Sequence, residues 1–258
     1  MFEINKIASE TYALIDKDDC YIYLLIGKNK TLVIDLGDTK IPIKPEIEKI
    51  TSNDLIVALT HGHGDHVAKS LEFDKVYLSP LDKNNYLENE LLFPNYYQLK
   101  SYQELLPLEN FKKFDLGDRI IETFPLGGHT PGSTVFVDKK NKFVFCGDAL
   151  GAGKGVWIQC LHGTKIREYK KNLMNAKKYL NSYGVDNSWY FWTGHQKQVY
   201  RSNNPISLEL IDDMIVLCDQ LIKGNTVGEK SDVPTFDGTQ GYYASYKKAG
   251  IFYKDSSF

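Results

Sequence analysis

The stretch Thr60-His61-Gly62-His63-Gly64-Asp65-His66 follows directly on the apolar run Leu55-Ile56-Val57-Ala58-Leu59. Three histidines and one aspartate fall within six residues and are separated by glycines. Glycine lacks a Cβ, so the backbone can turn tightly and aim neighbouring side chains at one point. Imidazole and carboxylate together suit zinc or another borderline first-row metal better than calcium or magnesium. A polar loop that caps a strand end is the ordinary alternative, but this density of ligand-type side chains favours a metal site.

The residues around this stretch predict alternating strands and helices. Runs rich in β-branched and aromatic residues predict strands at 11–15, 21–26, 31–35, 55–59 and 75–78, and helices are expected at 42–50 and from 67–71. The histidine cluster therefore follows the C-terminal end of a strand, where α/β sheets commonly place their chemistry. Asp35 ends the third strand, and we expect it either to brace a ligand histidine or to serve as a plain turn residue.

Residues 81–114 are less regular and rich in aromatic side chains. Pro94 and Pro107 break helices there, and the aromatics are Tyr86, Phe93, Tyr96, Tyr97, Tyr102, Phe111 and Phe114. A long connection beside a metal loop is often a lid or a pocket wall. The core of a small helical insertion explains the same aromatics equally well, so both interpretations stay open.

Further ligand-type residues follow the later predicted strands, at 119–126, 133–137, 142–146 and 189–193. His129 lies in Gly127-Gly-His-Thr-Pro-Gly-Ser133, Asp148 ends Cys146-Gly-Asp148, and His195 follows Gly194. Of the six histidines in the chain, only His162 lies outside these loops. Ordinary core or surface histidines would not select glycine-flanked loops after apolar runs so consistently.

The C-terminal part is less informative. Helices are expected from Thr164 and from about Ser207, with Gly224 as the stop of the second. The tail Val227–Phe258 has aromatics and glycines without a clear period. We expect it to pack on the surface, where it can line the pocket.

Composition sets limits on the class of protein. The chain has 258 residues, a net charge of −2 and a pI near 6.3, so no general attraction to nucleic acid or to an anionic membrane is expected. No signal peptide, membrane span or disulfide framework is expected from the sequence, and its four cysteines are scattered. We predict a cytoplasmic protein with a small-molecule substrate. One domain over 1–258 is expected, with 81–114 as a lid insertion and 205–258 as a C-terminal helix and tail.

The order and context of these residues resemble the metallo-β-lactamase superfamily. Its hallmark is HxHxDH followed by separate His, Asp and His ligands, and the resemblance covers roughly residues 1–200. It implies an α/β fold, a four-layer αβ/βα sandwich with a metal pair at one edge of two facing sheets. The pattern GHTPGS with GD and GH is similar to the glyoxalase II and lactonase group. True β-lactamases generally lack the bridging aspartate that Asp148 would provide, so antibiotic hydrolysis is not expected.

The resemblance also implies a ligand for each metal position. The first metal would be held by His61, His63 and His129, the second by Asp65, His66 and His195, and both would be bridged by Asp148 together with a hydroxide. Two zinc ions are expected, with iron or manganese as alternatives. Asp65 would in addition orient or shuttle a proton. Trp157 and His162 are candidate substrate contacts.

These implications leave several functions open. We expect a metallohydrolase that cleaves a thioester, a lactone or a related small molecule. Persulfide-dioxygenase relatives share the signature but bind one iron through positions matching His61, His129 and Asp148, and a phosphodiesterase is a further alternative. A binding protein that kept the fold and lost activity is a third class, which the intact set of seven ligand-type residues argues against.

Overall fold

The computed structural model describes residues 2–92, 104–201 and 206–258. Its first strands are β1 Glu3–Ala8, β2 Thr11–Ile15, β3 Tyr21–Ile26, β4 Lys30–Ile34, β5 Asp54–Ala58, β6 Lys75–Leu78, β7 Glu104–Pro107 and β8 Lys113–Asp115. The later strands are β9 Ile120–Pro125, β10 Thr134–Asp138, β11 Phe143–Gly147, β12 Val156–Trp157, β13 Tyr190–Thr193, β14 Glu229–Ser231, β15 Gly241–Tyr246 and β16 Ala249–Lys254.

The helices lie between these strands. They are α1 Lys44–Glu48, α2 Gly64–Val67, α3 Lys83–Leu92, α4 Ile166–Ser182, α5 Gln196–Arg201 and α6 Leu208–Lys223. Short 3₁₀ turns cover Ser70–Glu72, Pro80–Asp82 and Asp255–Ser257. Within the described ranges, no helix is both long enough and apolar enough to cross a lipid bilayer.

The first sheet contains β1 to β7 in sequential order. Strands β1 to β4 form an antiparallel meander, and β4 to β7 run parallel to one another. Parallel neighbours need a crossover, and α1 supplies the one between β4 and β5. In that pair Ile34 lies opposite Ala58, so Asp35 and the loop after β5 leave the sheet at the same edge.

The second sheet has the order β13-β11-β10-β9-β8. Strands β11 and β13 are parallel, and Gly147 lies opposite Thr193. This register brings the residues that follow the two strands, Asp148 and His195, to a common edge.

The two sheets stack face to face and carry helices on their outer faces. Apolar side chains from both sheets, such as Tyr23, Ile34, Phe136 and Phe145, form one cluster between them. A second cluster packs the other face of the first sheet against α1 and its neighbours, and a third packs α4 and α6 against the second sheet. The four-layer αβ/βα sandwich is therefore confirmed.

The tail after α6 is more regular than its sequence suggests. Strands β14, β15 and β16 form a third sheet with β12, in which β16 runs parallel to β12. Every residue of β16 is buried, so the strand lacks the alternation of apolar and polar residues from which a strand is predicted. Ile251 and Tyr253 join the cluster around α4 and α6.

The structure differs from the sequence-based expectations for α2 and for the 81–114 segment, and some expectations concern residues outside the described ranges. The helix expected to begin at 67–71 instead begins at Gly64, with His63 as its N-cap, so it starts inside the histidine stretch. In the 81–114 segment Tyr86 and Phe114 are buried in the main clusters of the sandwich and not in the core of a separate helical insertion, because β7 and β8 of this segment join the two sheets. Predictions that concern Phe93, Pro94, Tyr96, Tyr97 and Tyr102 lie outside the described residues.

A buried ion pair ties the two sheets together at the edge away from the histidine loop. Arg119 Nη2 donates to Asp138 Oδ2 at 2.5 Å and to Thr11 Oγ1 at 2.9 Å. Its Nη1 donates to the Glu10 carbonyl at 3.0 Å. The side chains of Arg119 and Asp138 are 1% and 0% exposed. One guanidinium thus serves groups from both sheets.

We predict that Arg119→Met lowers the free energy of unfolding by about 3–5 kcal/mol, because the Asp138 carboxylate would stay buried without its counter-charge. Urea denaturation followed by circular dichroism measures the loss. Lys139→Met is the matched control, since Lys139 pairs with Glu122 at the exposed surface and should cost about 1 kcal/mol or less. Equal effects in the two variants would contradict the prediction.

Candidate metal centre

All seven ligand-type side chains expected from the sequence meet at one edge of the sandwich. The first sheet contributes the loop after β5 and the start of α2, which carry His61, His63, Asp65 and His66. The second sheet contributes the loops after β9, β11 and β13, which carry His129, Asp148 and His195. The arrangement follows from the two registers described above, because they bring strand ends from both sheets to the same place.

Three histidines form the first group. One ring nitrogen each from His61, His63 and His129 lies within 4.8 Å of the others, and His63 Nδ1 is 2.8 Å from His129 Nε2. Burial lowers the pKa of His63 to about 3 and the pKa of His61 well below its usual value. Neutral imidazoles with free lone pairs are the form that binds metal.

The second group combines a carboxylate with two histidines. Asp65 Oδ2 lies 3.1 Å from His195 Nε2 and 3.7 Å from His66 Nε2. Burial would raise the pKa of Asp65, but the neighbouring His66 and His195 hold it well below its usual range. The carboxyl group is therefore an anion and can act as a ligand or a base.

Asp148 lies between the two groups. Its Oδ2 is 3.9 Å from His129 Nε2 and 3.5 Å from His195 Nε2, and its Oδ1 is 3.7 Å from His66 Nε2. Gly194 allows this approach, since a Cβ there would meet His66 Cε1 at 2.4 Å and Asp148 Oδ1 at 2.5 Å. The aspartate is thus in place to contact both groups.

Unsatisfied polar atoms test whether these residues fit a metal. His61 Nε2, His66 Nε2 and Asp148 Oδ1 are buried and have no hydrogen-bond partner among the described residues. A buried polar atom without a partner costs free energy. Here three such atoms point into one cluster of ligand-type groups, so the site fits a bound cation.

Asp35 fixes the orientation of two of these histidines. Its carboxylate accepts hydrogen bonds from the Thr60 amide at 2.7 Å and the Thr60 hydroxyl at 2.8 Å, and lies 2.9 Å from His66 Nδ1. Because the Thr60 hydroxyl donates to Asp35, it accepts from His61 Nδ1, 3.0 Å away. The Nε2 atoms of His61 and His66 are then left for the centre. Asp35 therefore braces ligand-type histidines and is more than a turn residue.

The other two orienting contacts come from backbone carbonyls. His129 Nδ1 donates to the Trp157 carbonyl at 2.8 Å, and His195 Nδ1 donates to the Asp19 carbonyl at 3.1 Å. Each contact leaves the opposite ring nitrogen facing the centre. Trp157 therefore positions a ligand through its main chain, which its sequence context did not indicate.

Asp82 is a residue that the sequence did not single out. It is fully buried, and its carboxylate accepts hydrogen bonds from the amides of Gly62 at 2.8 Å and Gly132 at 2.7 Å, and from the Thr130 hydroxyl at 2.7 Å. These donors belong to the two loops that carry His61, His63 and His129. Asp82 lies in a 3₁₀ turn of the expected lid segment, and no local pattern marks it.

Cys20 is the second residue at the centre that the sequence did not single out. Its Sγ, a carboxylate oxygen of Asp65 and a ring nitrogen of His195 lie within 4.8 Å of one another. Burial raises the pKa of the thiol to about 12. All four cysteines fall within the described residues, and each is buried and unbridged.

A cavity of about 740 Å³ opens onto the centre. Trp157, Leu161 and the tail residue Phe236 line it, together with Glu88 from the 81–114 segment. His162 is absent from this lining in the described part of the chain, and its Nε2 lies 2.8 Å from Glu88 Oε2. Trp157 thus faces the cavity, whereas His162 reaches it only through a rim residue.

Comparison with known proteins identifies a protein family whose members are similar to this chain. The profile of the metallo-beta-lactamase superfamily matches residues 15–195. A hydroxyacylglutathione hydrolase of Francisella philomiragia is 33% identical over 141 residues, covering 52% of this chain and 49% of the relative. The chain thus spans about half the length of the curated relatives it matches.

Solved structures share the architecture at low sequence identity. A stereoselective inverting sec-alkylsulfatase from Pseudomonas sp. aligns with a TM-score of 0.62 and 12% identity, over 87% of this chain and 42% of that one. A metallo-beta-lactamase from Pontibacter korlensis aligns with a TM-score of 0.60 and 16% identity, over 83% and 100%. At these identities the likeness establishes the fold.

We predict that Asp35→Asn weakens zinc binding about 10- to 100-fold. Asparagine keeps the size and tolerates the left-handed backbone of this position, where φ is 61°, but it no longer offers a carboxylate to Thr60 and His66. Chelator competition measures the affinity. Asp186→Asn is the matched control, because Asp186 binds Ser188 at the surface. An unchanged affinity in the Asp35 variant would contradict the prediction.

We also predict that zinc binding tightens as pH rises toward 9. In the metal-free protein burial would lower the pKa of His66, but Asp65 and Asp35 raise it to about 9. Asp148 likewise raises the pKa of His195. Zinc must displace these protons, so affinity should rise about tenfold per pH unit for each proton displaced. Chelator competition between about pH 6.5 and pH 8.5 measures the slope, and a flat profile would refute it.

Proposed function

The chain belongs to the metallo-beta-lactamase superfamily, and from that premise we propose that it is a zinc-dependent hydrolase with a dinuclear centre. The observation that carries the proposal is the position of Asp148, 3.9 Å from His129 Nε2 in the first group and 3.5 Å from His195 Nε2 in the second. One carboxylate in contact with two sets of ligands suits a pair of cations. A pair of zinc ions would supply a hydroxide at neutral pH and polarise the substrate's carbonyl group, which makes its carbon more electrophilic.

The chain's own residues supply the remaining steps. Asp65 lines the cavity with 38% of its side chain exposed, and its Oδ2 is 3.1 Å from His195 Nε2. An ionised carboxylate at this point can accept a proton from the attacking group and return it to the leaving group. Trp157, Leu161 and Phe236 give the cavity an apolar wall for an acyl chain.

The charges of the cavity wall narrow the substrate class. Apart from the seven ligand-type residues, its charged side chains in the described ranges are Lys17, Asp18, Asp38 and Glu88. Lys17 Nζ is 2.8 Å from Asp18 Oδ2, so the single cation is already paired with an acid. Away from the metal pair, whose positive charges would face the scissile bond, an acidic wall disfavours a substrate whose remote groups carry carboxylates. We therefore favour an uncharged thioester or lactone over a glutathione thioester, although relatives of this chain are hydroxyacylglutathione hydrolases.

The test compares an S-acyl-N-acetylcysteamine and a neutral lactone with S-lactoylglutathione. We predict a kcat/KM about tenfold higher for a neutral substrate, since one like-charge contact near a protein surface costs about 1 kcal/mol or more. Elemental mass spectrometry should find about two zinc ions per chain. Asp148→Ala should lose both metal and turnover, while Asp74→Ala, at an exposed bend directly before β6, should keep them.

Other outcomes would replace this proposal with a different activity. About one iron per chain, together with oxygen uptake on a persulfide, would assign the chain to the dioxygenase alternative. Faster turnover of bis(p-nitrophenyl) phosphate than of any thioester or lactone would assign it to the phosphodiesterases. Full turnover in Asp148→Ala would refute the dinuclear hydrolase itself.

A further inference from the structure

We propose that the sulfur of Cys20 is a direct ligand of the second metal ion, the one held by Asp65 and His195. The proposed function supplies the premise that this second site is filled. The inference adds a soft donor from the first sheet to a site otherwise built from imidazole and carboxylate. It also gives the two metal positions different sets of donor atoms, since only the second would have a sulfur ligand.

The geometry of three donor atoms supports this assignment. The Cys20 Sγ, an Asp65 oxygen and a His195 ring nitrogen lie within 4.8 Å of one another. Zinc binds thiolate sulfur and imidazole nitrogen at bond lengths that place donors of one tetrahedral ion about 3.3–3.8 Å apart. Small side-chain rotations therefore suffice to bring the three atoms onto one ion.

The backbone holds Cys20 against the loop that carries His195. The amide of Tyr21 donates to the Gly194 carbonyl at 2.9 Å, and the Asp19 carbonyl accepts from His195 Nδ1 at 3.1 Å. The residues on both sides of Cys20 are thus bound to the His195 loop. The amide of Cys20 itself donates to Asp16 Oδ1 at 3.0 Å, which fixes the turn.

A separate observation is that a buried ring nitrogen on this side of the centre is free to bind a metal. His66 Nε2 is buried, has no hydrogen-bond partner among the described residues, and lies 3.7 Å from Asp65 Oδ2. Cys20 is 2% exposed, and its thiol makes a long contact of 3.9 Å to the Asp18 carbonyl and a side-chain hydrogen bond with His195. A cation at this place would give His66 Nε2 a partner and would replace the weak contacts of the Cys20 thiol by a metal–sulfur bond.

The balance of charge between the two metal ions and their ligands also supports a thiolate ligand. Two divalent ions bring four positive charges into a largely buried place, where Asp65, Asp148 and the hydroxide supply three negative ones. Cys20 supplies a fourth when its S–H bond breaks, the S–metal bond forms and the proton passes to solvent. Metal loading should therefore release one more proton from the wild-type protein than from Cys20→Ser.

The donor type has a consequence for metal choice. Thiolate favours zinc, cobalt and iron(II) over manganese and magnesium. The second site should therefore keep zinc in competition with manganese. Cys20→Ser should shift that preference toward manganese.

Cobalt(II) substitution tests the proposal through a signal independent of turnover. Sulfur bound to cobalt(II) gives a charge-transfer band in the near ultraviolet. We expect this band in the wild-type protein at two equivalents of cobalt, and we expect Cys20→Ser to lose it and to bind the second equivalent at least about tenfold more weakly. Cys160→Ser is the matched control, because Cys160 also lines the cavity but belongs to no ligand cluster in the described residues, and it should keep the band.

A second measurement avoids variants altogether. X-ray absorption at the zinc edge of the wild-type protein with two zinc ions should show a sulfur neighbour at about 2.3 Å. Two metals per chain without a sulfur signal would overturn the role of Cys20 and leave the dinuclear hydrolase standing. A band that persists in Cys20→Ser would also overturn it. A single metal per chain without a sulfur signal would overturn both the dinuclear function and this inference.

Discussion

The buried carboxylate of Asp35 is the constraint on which the centre depends. It directly follows β4 and is bonded to the Thr60 amide, the Thr60 hydroxyl and His66 Nδ1. It thereby joins the end of β4 to the ligand-carrying loop that follows the neighbouring parallel strand β5. Its backbone has a φ of 61°, a conformation that costs free energy for a residue with a side chain. The three hydrogen bonds offset that cost. The left-handed backbone places the Asp35 carboxylate where it can reach all three donors.

The position of the centre follows from the stacking of the sheets. Ligand-type residues from the first sheet meet those from the second only because the apolar cluster between them sets the separation and the angle of the two layers. Asp82 adds a direct link, since it bonds the amides of Gly62 and Gly132 from loops of different sheets. A centre built in this way is as rigid as the sandwich, which is the condition for fixing ligand geometry before a metal arrives.

The sequence predicted the parts of this arrangement that depend on local pattern. The histidine stretch, the glycine-flanked His129 and His195, and the apolar runs before them each signal their role within a few residues. Cys20 and Asp82 could not be found in this way, because their importance comes from contacts with residues far away along the chain, such as His195 and Gly132. Strand β16 was missed for another reason. It is buried on both faces, so it shows no alternation, and its partner β12 has only two residues.

The pairing of β12 with β16 has a consequence for how the protein is made. His129 is oriented by the carbonyl of Trp157, Trp157 belongs to β12, and β12 is held by residues about a hundred positions later, at Ile251 and Phe252. The ribosome synthesises the histidine stretch at 60–66 before it synthesises β16 at 249–254. During synthesis, His61, His63 and His66 are therefore present before β16 has been made. His129 therefore gains its fixed orienting carbonyl only after β16 has been synthesised and has paired with β12.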